Sequence, residues 1–594
     1  MKDFGKIVFG SALGFIIASI VLSVLSMIMF FGMMGSMASS FDKQTKFVVE
    51  DNSVLHLVLS GEIAERSPAD NPFSELNMPG SVDAVTGMDD ILSAIRKAKD
   101  DSKIKGIYID SRVFSASYAV LDEIRKQLID FKKSGKFIVA YSDTYTQQGY
   151  YLASVADKIA LNPQGMLDLH GFAANNMFIK DALQKLGVQI QVFKVGTYKS
   201  AVEPLILNQM SDANREQTTS FITDIWKTVG NDIAQSRKIS MQMLDSITNQ
   251  STLFKKPEYV LQNRLVDTLV YETEMKDYLR AKLHIKKDDN IPSATVKDMK
   301  GVTPAKSAKS KNKIALLYAE GDIVTGSGYN NIQDKYFVKQ LEKLRKDDDV
   351  KAVVFRINSG GGSAYASEQI WKAVSDLKKV KPIVVSMGEM AASGGYYISC
   401  NASRIIAQST TLTGSIGIFG IVPNFEGTTK KLGVQFDVTK THQYADFGSL
   451  NRPMNEGEKQ MMQTYVNDGY ALFVKRCADG RKLPIEQIQK IAEGRVWTGN
   501  QAKQIGLVDE IGGLKDAIKV AGRLAKLNED YVIKTYPQKR TFFEELFDKE
   551  NREELAAKTI KEYLGDDYEI FNLVKSLKEQ DFVQAKSPYK LVLK

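Results

Sequence analysis

The amino-acid sequence predicts an α/β protein built from two tandem copies of one domain, preceded by a single N-terminal transmembrane helix. Three observations lead to this prediction. Segments recur at a constant offset of 246 residues, short β-branched runs alternate with longer helical patterns, and one run of 35 residues near the N-terminus carries no charge. Strands that alternate with helices indicate parallel crossover units and therefore layered α/β domains.

Length and composition exclude several classes of protein. The chain has 594 residues, 43% hydrophobic and 25% charged, so it is too long for one hydrophobic core and has an ordinary globular composition. Two cysteines, Cys400 and Cys477, cannot form a disulfide framework, and the four histidines lack the spacings that bind zinc. We therefore expect no metal site and no cofactor.

The uncharged run extends from Ile7 to Phe41 and exceeds the roughly 20 residues that cross a bilayer. A cleaved signal peptide is the alternative, because small residues follow in GSMASS, but its apolar region normally spans about 7–15 residues. We expect an uncleaved anchor. Lys2 and Lys6 favour a cytoplasmic N-terminus, although lysines also follow the run, so charge decides the orientation weakly.

The internal repeat is carried by identical segments. KLGVQ occurs at residues 185–189 and again at 431–435, and GYY occurs at 149–151 and again at 395–397. Position 187 thus corresponds to 433, and 149 to 395, an offset of 246 in both cases. A single ungapped offset over a long block indicates a duplicated domain.

Within the second copy, strands and helices alternate. Short apolar runs predict buried strands at Ile314–Tyr318, Ala352–Ile357 and Ile383–Met387. Helical patterns follow at Ala364–Lys379 and Gly394–Cys400. This order is typical of a parallel sheet covered by helices.

The stretch 286–313 has no apolar period and carries +5 of the net charge of +8. We interpret it as a solvated linker, and its charge does not indicate a nucleic-acid partner. We therefore expect five segments along the chain. The segments are a membrane anchor at 1–45, a first α/β repeat at 46–285, the Lys-rich linker at 286–313, a second α/β repeat at 314–538 and a C-terminal helical extension at 539–594.

Two successive strand-to-helix turns of the second copy have sequences suited to catalysis. Asn358–Ser363 contains three consecutive glycines whose N–H groups suit an oxyanion or a phosphate, although a tight turn also explains them. Ser393 lies among small residues, where a serine is either an accessible nucleophile or an N-cap. Both turns belong to the C-terminal edge of one sheet, where α/β sheets bind ligands.

The two copies differ at positions that matter for this chemistry. Ser393 corresponds to Gln147 in the first copy, whereas Lys199 of the first copy corresponds to Ala445 in the second. This complementary loss predicts a site shared between the copies, with Ser393 as nucleophile and Lys199 as its base. An ordinary surface lysine is the alternative, and His442, three positions before Ala445, is the rival base.

Five segments, taken in order, resemble motifs of the signal peptide peptidase A family in its long, two-repeat form. They are GTYKSAVEP (196–204), RINSGGGS (356–363), SMGEMAASGGYYIS (386–399), TLTGSIGIFG (411–420) and GRVWTGNQAKQIGLVDEIGG (494–513). The resemblance covers the anchor and nearly all of the remaining chain. It implies ClpP/crotonase-like domains and a ring-like homotetramer.

Carried over position by position, the resemblance implies that Ser393 is the nucleophile, Lys199 the general base and Ser415 a hydroxyl that orients the lysine. It also implies oxyanion N–H groups, for which the candidates are Gly361, Gly362 and Gly394. The family's loop usually reads NSPGGS, and here Gly360 replaces the proline.

The resemblance implies a membrane-anchored serine endopeptidase that forms an acyl-enzyme and degrades signal peptides left in the membrane after preprotein processing. It implies a single-pass protein of the bacterial inner membrane with its catalytic part on the periplasmic side. A broader envelope protease is a second hypothesis. A crotonase-type acyl-thioester enzyme and a non-catalytic membrane scaffold are alternatives from other classes.

Overall fold

The computed structural model describes residues 47–68, 85–303, 310–328, 331–528, 530–539 and 583–587, and within the predicted anchor residues 14, 17, 19, 21–27 and 29. Most of the predicted transmembrane segment therefore lies outside the described residues. The anchor residues that are described are helical and exposed. Among all described residues, no helix has the length and apolarity needed to cross a membrane.

Among the described residues the first copy has eight strands, seven of which form a parallel sheet. Its strands are β1 (Ser53–Ala64), β2 (Val85–Gly87), β3 (Ile104–Ser115), β4 (Phe137–Tyr145), β5 (Lys158–Leu167), β6 (Gln189–Lys194), β7 (Thr268–Leu269) and β8 (Ser293–Thr295). The order β2-β1-β3-β4-β5-β7, with β8 also on β1, is parallel throughout, and β6 leaves this sheet. Helices in this part of the chain are Met88–Asp100, Tyr118–Lys132, Gln147–Ala153, Lys180–Leu186, Glu203–Ile206, Asp212–Arg237, Met241–Asn249, Pro257–Gln262, Glu272–Leu283 and Val296–Lys300.

The second copy repeats this plan. Its strands, with one from the C-terminal segment, are β9 (Lys313–Glu320), β10 (Ile323–Val324), β11 (Ile332–Gln333), β12 (Val350–Ser359), β13 (Gly361–Ser363), β14 (Ile383–Ala392), β15 (Arg404–Ala407), β16 (Leu412–Gly414), β17 (Phe419–Asn424), β18 (Val496–Thr498), β19 (Glu510–Ile511), β20 (Val532–Tyr536) and β21 (Val583–Lys586). Its helices are Asp334–Lys346, Ala364–Lys378, Gly394–Ser399, Glu426–Lys431, Glu456–Arg481, Ile485–Ile491, Gly499–Gln504 and Leu514–Leu524.

The main sheet of the second copy has the order β18-β16-β14-β12-β9-β20, with β15 between β14 and β19. All of its pairs are parallel except β16 with β18. The central strands β12 and β14 are buried along almost their whole length, as expected for parallel strands covered by helices on both faces. Their carboxyl ends lead into the glycine-rich loop and into Ser393.

The duplication is visible in the element boundaries. Helix Tyr118–Lys132 and helix Ala364–Lys378 begin and end 246 residues apart, and so do Met88–Asp100 and Asp334–Lys346. Strands β3 and β12, and β4 and β14, also begin 246 residues apart. The structure therefore confirms the predicted pair of α/β domains.

A third, mixed sheet joins the two copies in the order β11-β10-β13-β21-β17-β6. Strand β6 comes from the first copy and pairs antiparallel with β17 of the second, from Gln189 with Asn424 to Lys194 with Phe419. This pairing holds the chain that follows β6 against the carboxyl edge of the second copy.

A buried ion cluster also ties the copies together. Arg356, on β12, is fully buried and donates to both carboxylate oxygens of Glu65, at 2.7 and 3.0 Å. Its Nη1 lies 3.0 Å from Oε1 of Glu123, which belongs to the first copy, as Glu65 does. Glu123 in turn accepts from the backbone N–H of Leu514. Burial raises the pKa of Glu123, and the Arg356 charge opposes that rise.

Part of the stretch expected to be a solvated linker is structured. Strand β8 pairs with β1, and Thr295 caps the short helix Val296–Lys300 through reciprocal bonds with Asp298. Met299 of this helix is buried. A single helical turn is too short to show an apolar period, so periodicity alone missed it.

The C-terminal segment differs from the predicted helical extension where it is described. Val583–Lys586 forms strand β21, inserted antiparallel between β13 and β17. The edges of β13 and β17 carry backbone groups that pair with an extended segment, and this pairing favours a strand there although the charge pattern of the C-terminal segment indicated a helix. The remainder of the predicted extension lies almost wholly outside the described residues.

Candidate active site

Ser393 occupies a sharp turn between β14 and helix Gly394–Ser399. Its backbone has φ 55° and ψ −114°, a conformation that L-residues rarely adopt. The turn is held because Ser393 N–H donates to Gly414 O at 2.8 Å and Ser393 C=O accepts from Tyr397 N–H at 2.8 Å. Strain of this kind persists only where the surroundings fix it, and it is concentrated at functional sites.

Glycines allow the serine turn and the glycine-rich loop to pack against each other. A Cβ on Gly395 would lie 2.7 Å from Ser359 O, and one on Gly394 would lie 3.0 Å from the Cα of Gly361. Side chains at either position would push the two loops apart. This explains the small residues around Ser393 in physical terms.

The glycine-rich loop has a conformation that other residues would resist. Gly361 has φ +102° and Gly362 has φ +156°, and a Cβ on Gly362 would overlap the backbone of Ile323. The N–H of Gly361 donates to Ser359 Oγ at 3.1 Å. Ser363 then caps helix Ala364–Lys378.

The sheet that joins the copies brings Lys199 to this turn. After β6 ends at Lys194, Val195 N–H still donates to Ile418 O at 3.2 Å, and Tyr198 N–H donates to Glu493 O at 2.9 Å. The backbone of Lys199 packs so closely on Gly494 that a Cβ there would lie 2.6 Å from the Lys199 Cβ.

The structure brings together three of the sequence-predicted side chains. Lys199 Nζ lies 2.8 Å from Ser393 Oγ, 3.1 Å from Ser415 Oγ and 3.3 Å from Ser415 O. All three residues are fully buried. Ser415 also has a positive φ, of 50°, and its N–H donates to Arg495 O at 2.7 Å, so its turn is fixed as well.

Burial lowers the pKa of Lys199 well below its ordinary value of 10.5. The Lys199 environment consists of two serine hydroxyls, a backbone carbonyl and the ring of Phe419, whose centroid is 5.8 Å from Nζ. Desolvation penalises the ammonium form, and hydroxyls compensate it less than a carboxylate does. The arrangement favours a neutral amine that can accept a proton from Ser393.

The positions equivalent to Ser393 and Lys199, each in the opposite copy, hold different residues. Gln147, at the position of Ser393, holds a loop of the first copy by accepting from the N–H of Gly171 at 2.9 Å and donating to its C=O at 3.1 Å. Ala445, at the position of Lys199, lies in an exposed turn. His442, the rival base, is exposed and contacts its neighbour Thr441 at 3.0 Å, so the structure does not bring it to Ser393.

Two supporting residues were not identified from the sequence. Gln217 is fully buried, donates to Tyr198 O at 2.9 Å and accepts from Val496 N–H at 3.1 Å, so it connects the Lys199 turn to β18. No sequence signal distinguishes it from other glutamines on its helix. Gly494 has φ +78° and stands first in GRVWTG, so the motif contained it without revealing its contact with Lys199.

In the part of the chain that the structure describes, no group of three or more His, Cys, Asp or Glu side chains is arranged to hold a metal ion.

Comparison with known proteins identifies the family. Residues 130–286 and 375–528 match Peptidase family S49, and residues 305–412 match Clp protease. The chain is 41% identical over 452 residues to Protease 4 of Salmonella typhi, covering 74% of this chain and 72% of that one. It is 36% identical over 521 residues to Protease 4 of Haemophilus influenzae, covering 84% and 83%. It is 28% identical over 487 residues to the chloroplastic serine protease SPPA of Arabidopsis thaliana, covering 81% and 70%. With both repeats matched, the chain belongs to peptidase family S49 and is a serine peptidase, as the sequence predicted.

Proposed function

We propose that the chain is a membrane-anchored endopeptidase that uses Ser393 as nucleophile and Lys199 as general base. The observation that carries this proposal is the 2.8 Å contact between Lys199 Nζ and Ser393 Oγ, made where both side chains are fully buried. A lysine acts as a base only when it is neutral, and burial lowers the pKa of Lys199 well below its ordinary value. The strained turn directs the Ser393 hydroxyl towards that amine.

The reaction follows from these positions. Neutral Lys199 accepts the hydroxyl proton as Ser393 Oγ attacks the carbonyl carbon of a peptide bond. Lys199 then returns the proton to the leaving amine, which gives an acyl-enzyme and a free amino terminus. Water attacks the ester, and Lys199 accepts and returns its proton, so that Ser393 is regenerated. Ser415, bonded to the same Nζ, orients the amine in each step.

Backbone N–H groups stabilise the oxyanion in this proposal. Gly394 directly follows the nucleophile, the position from which a backbone N–H commonly serves an oxyanion hole. Gly361 lies beside it, since its Cα is 3.0 Å from the Cβ position of Gly394. We assign the oxyanion donors to Gly394 and to the loop at Gly361 and Gly362, where the Gly361 N–H would exchange Ser359 Oγ, its acceptor at 3.1 Å, for the oxyanion.

We further propose that the substrates are apolar peptides in the membrane, remnant signal peptides above all. A relative from Enterococcus faecium, 36% identical over 231 residues, bears the name putative signal peptide peptidase SppA, and this supports the substrate class. The uncharged run 7–41 supports a single-pass anchor. We propose that it lies in the bacterial inner membrane, with the peptidase on the periplasmic side. A homotetramer, and a chain divided into an anchor and two α/β repeats, complete the proposal.

Labelling of the nucleophile and hydrolysis of a peptide together test the proposed activity. The purified full chain, in detergent, is treated with a fluorophosphonate probe and, separately, with a fluorogenic apolar peptide. We expect wild type to be labelled and to hydrolyse the peptide, and Ser393→Ala to do neither while melting at a similar temperature. Labelling and hydrolysis that persist in Ser393→Ala would overturn the assignment of the nucleophile.

A further inference from the structure

The second copy buries a pair of cysteines next to the helix that carries the nucleophile's turn. Cys400 follows helix Gly394–Ser399, which begins directly after Ser393. Cys477 lies on the long helix Glu456–Arg481. Both side chains are fully buried, and both are free thiols in the structure. Neither thiol takes part in the proposed peptidase chemistry.

The two thiols are in contact, because their helices approach closely at this point. Cys400 Sγ lies 3.1 Å from Tyr397 O and 3.6 Å from Arg476 O, the carbonyl oxygen directly before Cys477 in the chain. A Cβ on Gly480 would overlap Cys400 O, so the glycine permits this approach. Burial raises the pKa of the Cys477 thiol well above its ordinary value, and the contact with the Cys400 thiol adds to the rise.

The two carbonyl oxygens beside the thiols have counterparts in the first copy. The 26-residue helix that carries Cys477 begins 244 residues after the 26-residue helix of the first copy, so Asp232 corresponds to Arg476. The offset of 246 residues that relates the preceding elements makes Tyr151 the equivalent of Tyr397. The junction between the short and the long helix can therefore be compared atom by atom between the copies.

In the first copy a buried arginine joins the two counterparts. Arg125 donates to Tyr151 O at 2.5 Å and to Asp232 O at 2.7 Å, so one side chain connects the short helix to the long one. At the position equivalent to Arg125, the second copy has Trp371, whose single N–H donor cannot serve two carbonyl groups. The cysteine pair therefore lies where the second copy lacks the arginine connection.

We propose that Cys400 and Cys477 form a disulfide bond, which takes the place of the arginine connection of the first copy. The bond would fix the helix that follows Ser393, and with it the strained turn, against the long helix. It is a single bond that adds to a large core, in contrast to the framework of several bonds on which a small protein depends. The proposed periplasmic location supplies the oxidising compartment, so the inference rests on that location and not on the peptidase mechanism.

The bond forms by exchange with a disulfide of the cell envelope, for example that of a thiol–disulfide oxidoreductase. One cysteine thiolate attacks that disulfide to give a mixed disulfide, and the second thiolate then displaces the oxidant. Each cysteine loses its proton, one S–S bond forms, and two electrons leave with the oxidant, which becomes a dithiol. Because burial raises the pKa of Cys477 and the thiolate is the attacking form, we expect exchange before the two helices have packed.

Counting the free thiols of the exported full chain tests the proposal, since the chain has two cysteines in all. Cells are quenched with acid, and the chain is unfolded, treated with N-ethylmaleimide and measured by intact-mass spectrometry, with and without prior reduction. We expect no adduct without reduction and two adducts after it. Two adducts on the chain that was not reduced would overturn the proposal.

Thermal melting of the oxidised and of the fully reduced chain, in detergent, tests the effect of the bond. The oxidised wild type should melt at least about 4 °C higher, because the bond closes a long loop. Cys477→Ala should melt at one temperature under both conditions. Val474→Ala is the matched control, since Val474 is buried on the same helix, and it should melt lower yet keep the difference. Equal melting temperatures for the two forms of wild type would contradict the proposed connection.

Peptide hydrolysis by the same preparations separates this inference from the proposed function. Wild type that hydrolyses an added apolar peptide and has two free thiols overturns the disulfide and leaves the peptidase standing. Wild type that contains the bond and does not hydrolyse the peptide overturns the peptidase and leaves the disulfide standing. Wild type with two free thiols and no hydrolysis overturns both.

Discussion

Lys199 Nζ lies 2.8 Å from Ser393 Oγ, within hydrogen-bond distance, although 194 positions separate the two residues along the chain. Each belongs to a different copy of the repeat, and each is replaced at the equivalent position of the other copy, by Ala445 and Gln147. The contact lies within one chain because β6 of the first copy pairs with β17 of the second. Neither copy by itself therefore holds both residues of the pair.

The first prediction concerns this pair as a unit. Ser393→Ala and Lys199→Ala should each lower kcat/KM for an apolar peptide by several orders of magnitude, and the double variant should be hardly worse, because either loss removes the same step. Steady-state kinetics of the three variants measure this. His442→Ala, an exposed control, should retain most activity. Multiplicative losses, or inactivity of His442→Ala with activity in Lys199→Ala, would refute the pair.

The second prediction follows from the lowered pKa of Lys199. Since only the neutral amine accepts the Ser393 proton, kcat/KM should rise with pH as Lys199 deprotonates in the free enzyme. Burial lowers the pKa, so the midpoint of the rise should lie well below 10.5. The profile is measured for wild type and for Ser415→Ala over the range in which both stay folded. A midpoint near 10 in wild type would show that Lys199 is hydrated and would contradict the proposal.

Comparison of the two repeats was enough to single out Lys199 and Ser393 as candidates, because the sequence alone shows that each is replaced at the equivalent position of the other copy. The structure then brings their side chains together, whereas their catalytic roles stay predictions. Periodicity identified the strands that carry the site, since β12 and β14 are long apolar runs. It could not reveal β21, because a strand of four residues becomes extended only through its pairing with two distant edges.

The third prediction concerns Ser415. Its hydroxyl accepts from Lys199 Nζ at 3.1 Å. Among the hydrogen bonds around that amine, Ser393 is bonded to Lys199 and not to Ser415, so Ser415→Ala should leave the nucleophile in place. We expect kcat to fall by roughly 10–100-fold, as for other residues that orient a catalytic group. Fluorophosphonate labelling should be slowed and still reach completion. Complete loss of labelling would show that Ser415 has a larger role than orientation.

The fourth prediction compares two glycines with similar backbones. Gly494 has φ +78° and Gly433 has φ +74°, but a Cβ on Gly494 would lie 2.6 Å from the Lys199 Cβ, whereas Gly433 faces open space. Both alanine variants pay a similar conformational cost, of about 1 kcal/mol. Gly494→Ala should also displace Lys199 and reduce kcat/KM at least tenfold. Kinetics and melting temperatures of the pair separate the two effects, and equal activities would show that the Lys199 turn adapts.

The fifth prediction concerns the buried cluster between the copies. Arg356→Met would leave the carboxylates of Glu65 and Glu123 buried without a cation, so we expect the free energy of unfolding to fall by about 3–5 kcal/mol at neutral pH. In that variant burial keeps the pKa of the Glu123 carboxyl above its value in the unfolded chain, so the folded state favours the protonated form. The stability of Arg356→Met is therefore greatest below the pKa that Glu123 has in the unfolded chain, and it falls as pH rises through the pKa of Glu123 in the folded state.

Denaturant unfolding of Arg356→Met at pH 5 and at pH 8 measures that dependence, with the larger deficit relative to wild type expected at pH 8. Arg112→Met is the matched control, because Arg112 pairs with Asp110 at 3.0 Å at the surface, where its side chain is 62% exposed. Loss of such a pair should cost less than about 1 kcal/mol and change little with pH. Similar deficits in the two variants would mean that Arg356 does not hold the first copy against β12 through its charge.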